Sequence, residues 1–145
     1  MKTKETCCCP ICAESLMVRG LRLRALVDAA GSKMKLIIRR LYCPNCKRLH
    51  HELPDCIVPF KRHCAETIEE IISGKSEGVP CDYRTIWRIA AWWKEALPYF
   101  MGILKSLAEK YKTSFHEPPA FREITRAAAN SNNWIFTGSI CTRSV

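Results

Sequence analysis

Cys9-Pro10-Ile11-Cys12 and Cys43-Pro44-Asn45-Cys46 are two copies of one four-residue pattern, C-P-x-C. Two intervening residues let a tight turn aim both sulfurs at one ion, and the proline fixes φ inside that turn. Two such knuckles supply four thiolates, a closed tetrahedral shell with no position left for water or substrate. The chemistry predicted is therefore structural: one zinc ion held by Cys9, Cys12, Cys43 and Cys46. Cys7 and Cys8 could compete as ligands, but only Cys9 gives the C-P-x-C spacing to Cys12. A thioredoxin-type redox role is not expected, because no βαβ pattern surrounds either pair and two matched pairs favour metal.

Charge marks a second kind of chemistry. The chain of 145 residues carries a net charge of +9, very unevenly placed. Residues 15–50 hold nine basic residues against one acid, Asp28, a balance of +8. A solvated surface mixes both signs, whereas a one-signed patch fits a polyanion, most often phosphate. The candidate phosphate contacts are Arg22, Arg24, Arg39, Arg40, Lys47 and Arg48.

Other chemistries have weaker support. His50, His51, Cys56, His63 and Cys64 have the right types for a second metal site, but their spacings match no compact knuckle. Buried cysteine and surface histidine are their default. The sequence holds no glycine-rich phosphate loop, no G-x-S-x-G and no H-E-x-x-H, so an enzyme is not expected.

The elements that must position these residues follow from periodicity. Leu21 to Val27 alternates in the manner of a half-buried strand, Gly31-Ser32 marks a turn, and Met34 to Tyr42 reads as a second strand entering the second knuckle. His50 to Leu53 adds a short third strand. The fold class predicted is small α+β: a four-cysteine zinc ribbon of antiparallel strands over residues 7–55, then a helical, helix-turn-helix-like half over 60–112. A sheet this small buries too little apolar area to fold unaided, and metal binding supplies the difference. Pro54 and Pro59 make the intervening segment extended.

In the helical half, Cys64, Ile68, Ile71 and Ile72 share a face, and Gly74 is a plausible stop. Asp82 can cap a second helix with Ile86, Ile89, Ala90, Trp93 and Leu97 on its apolar side. Its other side offers Arg84, Trp87, Arg88, Trp92 and Lys94, with Arg84 and Arg88 as candidate base readers. If the tryptophans are core instead, both arginines are merely solvated. Pro98 is expected to end that helix, and Phe100 to Tyr111 to form a third. Residues 113–145 hold a last short helix after Pro118-Pro119 and an unassigned tail that Trp134 and Phe136 would dock.

The run from Ile38 to Asp55 around the second knuckle, followed by Pro59-Phe60-Lys61-Arg62, resembles an uncharacterised zinc-ribbon family of Gram-positive bacteria. The likeness extends over about residues 9–95, including Thr85-Ile86-Trp87-Arg88 and Trp92-Trp93. More loosely, the chain is similar to the zinc-ribbon and helix-turn-helix N-termini of insertion-sequence transposases. The resemblance implies DNA binding at mobile-element or regulatory sites, without the carboxylate triad of a transposase catalytic domain.

The expectation is thus a zinc-dependent DNA-binding protein whose partner is nucleic acid, duplex DNA, and which acts on no small molecule. The alternative is a zinc-ribbon module for protein–protein interaction, and a homodimer is possible in either case. With no secretory h-region after Met1 and no apolar run of spanning length, the expected location is cytoplasmic and no membrane is involved.

Overall fold

The computed structural model describes residues 6–131, 133 and 134. Three antiparallel strands, β1 (Met17–Val27), β2 (Lys33–Cys43) and β3 (Arg48–His51), form one sheet in the order β1-β2-β3. Three helices follow: α1 (Ala65–Ile72), α2 (Tyr83–Tyr111) and α3 (Phe121–Asn130). The expected small α+β architecture, sheet first and helices after, is the one observed.

Alternation builds the β1–β2 hairpin as predicted, although β1 begins earlier, at Met17, and carries an irregularity between Val18 and Gly20. Its turn is organised by Asp28, whose carboxylate accepts from the backbone N–H of Ala30 at 3.0 Å and of Ser32 at 2.8 Å. Gly31 takes φ +85° there and lies so near Pro80 that an added Cβ would sit 2.7 Å from the Pro80 Cβ. Only glycine fits that approach. The tip of the hairpin is thereby seated against the residues that lead into α2.

The connector forms no helix, as its two prolines require, but it is not extended throughout: it bends through two turns, with Ile57 N donating to Pro54 O at 2.9 Å and Lys61 N to Val58 O at 3.1 Å. It runs past the end of β1, with Val27 N donating to Arg62 O and Cys64 N to Val27 O, both at 2.9 Å. Leu26, Ile38, Ile57 and Cys64 close a small core between sheet and connector. Beyond it, α1 starts at Ala65, buries Ile68 and Ile71, and stops at Ser73 with Gly74 at φ +79°. Asp82 caps α2, accepting from Thr85 N at 2.7 Å. Residues 73–82 join α1 to α2, longer than the three or four residues of a helix-turn-helix turn.

One expectation is overturned. Pro98 does not end a helix: α2 runs unbroken for 29 residues. A proline forfeits one backbone bond and crowds the preceding turn, but Ala96, Phe100 and Leu104 are all buried and hold the helix together on both sides. Continuity has a further consequence. Two separate helices could each choose a face, whereas one helix must bury a single stripe. That stripe is Ile89, Trp92, Ala96, Phe100 and Leu104. Trp92, expected on the outer side, is therefore core, while Ala90 and Tyr111 are exposed and Leu107 is only half-buried.

The helical core is completed by Phe121, Ile124 and Ala128 of α3 and by Trp134. Trp134 does dock, its ring 5.1 Å from that of Phe100 and 6.4 Å from that of Trp92; Phe136 lies outside the described residues. The Lys61 ammonium stands 3.7 Å over the Trp92 ring, tying the connector to α2. Among the described residues no helix is long and apolar enough to cross a membrane.

Candidate metal centre and cationic face

Each C-P-x-C turn is built the same way. The residue after its second cysteine adopts the left-handed conformation, Ala13 at φ +61° and Lys47 at φ +55°. In the first turn Ala13 N donates to Cys9 O at 2.9 Å and Cys9 N to Glu14 O at 2.8 Å. The second turn is the β2–β3 connection itself, with Cys46 N donating to Cys43 Sγ at 3.3 Å. Backbone bends thus aim four sulfurs inward from two distant stretches of chain.

The sulfurs of Cys9, Cys12, Cys43 and Cys46 all lie within 4.8 Å of one another, and Cys12 and Cys43 approach to 3.5 Å. A tetrahedral ion with metal–sulfur distances of about 2.3 Å sets edges of about 3.8 Å. Cys9 and Cys43 are buried, while Cys12 and Cys46 are partly exposed. The group can hold a metal ion and is compatible with a zinc-ribbon-like site.

Their surroundings shift three of the four thiols. Hydrogen bonding from Asn45, with smaller help from Glu14 and Cys46, lowers the Cys12 thiol to about 6. Bonding to Cys12, then burial, pushes Cys46 up to about 12, and burial raises Cys43. A divalent ion bound by such a set deprotonates its thiols outright.

Around the sulfurs lies a supporting shell that sequence reading missed. His50, fully buried on β3, brings Nε2 to 3.6 Å from Cys9 Sγ. With its proton on Nε2, the imidazole donates to a Cys9 thiolate. The signal was present in the alternation of β3, which turns His50 inward and His51 outward. On the same side, Arg39 reaches both carboxylate oxygens of Glu52, with Nη2 2.6 Å from Oε1. Cys7 Sγ donates to Glu52 Oε1 at 3.6 Å and accepts from Arg39 at 3.8 Å. This clamp fastens the first knuckle to the sheet, and the Arg39 hydrogen bond holds the Glu52 carboxyl below its usual range.

The remaining metal candidates do not assemble. Cys64 is buried against Thr67 Oγ1 at 3.3 Å, Cys56 is exposed, and His63 stands 3.4 Å from Cys81. Among the described residues, the four-cysteine group alone brings three or more ligand atoms together.

The register sorts the basic residues. Arg22 faces Ile38, Arg24 faces Leu36, and Arg40 faces both Gly20 and His51, so these three arginines share one side of the sheet. Burial, then the charges of Arg22, Arg40 and Arg24, lower the pKa of His51. Arg24 also donates to Lys61 O at 3.2 Å. Arg39 points to the opposite side, into its clamp. Lys47 is exposed in the second knuckle and Arg48 opens β3 beside it. Arg84 and Arg88 are exposed on the first turns of α2.

A family model described as a domain of unknown function (DUF6431) matches residues 9–89, more than half of the chain, and the chain belongs to that family. No curated protein and no solved structure matches it.

Proposed function

We propose that this member of a family of unknown function is a zinc-dependent nucleic-acid-binding protein that catalyses no reaction. The ion is zinc, one per chain. An all-cysteine tetrahedral set is the donor set zinc prefers in structural sites, and the shell leaves no open position. Its role is to pin a sheet too small to hold itself. A transposase-related or regulatory setting belongs to this proposal and rests on the resemblance over about residues 9–95; a cytoplasmic location belongs to it too and rests on the lack of a secretory h-region and of an apolar run of spanning length.

The observation that carries the reading is the gathering of Arg22, Arg24 and Arg40 on one side of the sheet. The single acid of residues 15–50, Asp28, is committed to the hairpin turn. Lys47 is exposed in the second knuckle, and Arg48 pairs with Cys43 and so lies on the Arg39 side at that end; together they bring the cations proposed for the phosphates of duplex DNA to five. Arg39 drops out of the set because Glu52 neutralises it. Arg84 and Arg88 remain the candidate base readers, and a standard helix-turn-helix geometry is not required. The test is binding of the zinc-loaded protein to a DNA duplex as a function of salt, beside the Cys43→Ser variant. Affinity should fall steeply with salt, and the variant should lose both metal and binding.

One observation favours the alternative, a protein-interaction module. On the side of the sheet opposite the arginines, Leu21, Leu23 and Ile37 are 59%, 63% and 66% exposed. They sit beside the outer edge of β1, which the connector pairs at Val27 and which could accept a further strand toward Leu21, including that of a second copy. Binding that ignores salt would promote this reading.

A further inference from the structure

Tyr83 and Trp87 are the most conspicuous side chains that this reading leaves without a task. They are 83% and 62% exposed on the first turns of α2, whereas Trp92 and Trp134 are buried and Trp93 is half-buried. Solvent-facing aromatics one helical turn apart contribute nothing to the core. They alternate with Arg84 and Arg88, themselves one turn apart and exposed. Asp82, the neighbouring acid, is engaged in capping Thr85 N.

Resting on the nucleic-acid reading, we propose that Tyr83 and Trp87 are a stacking platform for unpaired bases, with Arg84 and Arg88 holding the adjoining phosphates. Spacing carries the argument. Four helical residues separate the two rings by about 6 Å along the axis. Stacked bases along one DNA strand rise by about 3.4 Å. Two rings almost twice that far apart fit consecutive bases only when those bases have come apart, as in a single strand or an opened end. Aromatic faces accept every base, and flanking cations supply the backbone term.

The fold links the cationic strands to this site. Along the arginine side of the sheet, the order from the metal end is Arg40, Arg22 and Arg24, then the hairpin turn. That turn abuts Pro80, two residues before the cap of α2. The arginine-bearing hairpin and the start of α2 are thus joined through the Gly31–Pro80 contact.

The test uses the full zinc-loaded chain with two probes, a thymidine oligonucleotide of about twelve nucleotides and a blunt duplex of equal length. Trp87 is the exposed tryptophan, so its emission should quench on adding the single strand and shift little with the duplex. Trp87→Ala should weaken single-strand binding by about 5- to 150-fold, the loss expected for one stacked base, and change duplex affinity less than about twofold. Tyr83→Ala should act in the same direction. An unchanged melting midpoint in both variants separates these effects from misfolding. Equal losses on both probes, or none, would overturn the platform. So would loss of self-association with both nucleic acids still bound, which would make this surface a protein interface. If the duplex binds and the single strand does not, the platform fails while the nucleic-acid reading stands. If neither binds, the nucleic-acid reading itself falls.

Discussion

Arg39 and Glu52 face each other across the edge of the sheet, with two guanidinium nitrogens on the two carboxylate oxygens and Nη2–Oε1 at 2.6 Å. Cys7 joins the pair from the first knuckle, so three distant stretches of chain meet at this point. The pairing also divides two neighbours in β2. Arg39 fastens the metal-bearing loop, and Arg40 is exposed on the side that carries Arg22 and Arg24.

The clamp makes stability depend on acid in a definite direction. Arg39 holds the folded Glu52 carboxyl below its ordinary value. Its contribution is fully present above the unfolded value of about 4.3 and is lost as pH falls through the lower folded value. Glu52→Gln should therefore melt below wild type at neutral pH, with the gap closing in acid. A gap independent of pH would show that the carboxylate charge is not what the clamp uses.

The two arginines should separate by assay. Arg40→Ala should leave the melting midpoint in place and flatten the dependence of log affinity on log salt by about one unit. Arg39→Ala should lower the midpoint, and its salt slope should match wild type. Identical behaviour of the two variants would contradict the division of labour between Arg39 in its clamp and Arg40 on the cationic side.

Their separation marks how far the sequence could be read. Both knuckles, the hairpin and the expected caps at Asp82 and Gly74 were legible, because each depends on residues a few positions apart. Alternation in β2 even places Arg39 and Arg40 on opposite sides. It does not say which side meets Glu52, because that depends on where the chain returns after β3. His50 was misjudged for the same reason, its burial being set by the first knuckle folding over it. Trp92 was misplaced because the face of α2 depends on whether the helix survives Pro98, which tertiary packing decides.

His50 should tune the metal without determining its number. His50→Leu removes the donor to Cys9 while keeping bulk in a buried position. One ion per chain should remain, with affinity lowered by roughly 10–100-fold in competition with a chromophoric chelator. Unchanged affinity would make the histidine simply part of the core.

Pro98 gives a test of the unbroken helix. Within a helix interior, proline is about 3 kcal/mol less favourable than alanine. Since Pro98 is exposed, Pro98→Ala should stabilise the protein by about 1–3 kcal/mol in denaturant unfolding. A neutral or destabilising substitution would mean that two helices meet at this residue.

The account stands or falls most directly on the salt dependence of duplex DNA binding by the zinc-loaded protein. Five phosphate contacts, from Arg22, Arg24, Arg40, Lys47 and Arg48, predict a slope of about −4.5 for log affinity against log salt. A slope near zero, or no binding at low salt with zinc in place, would contradict it.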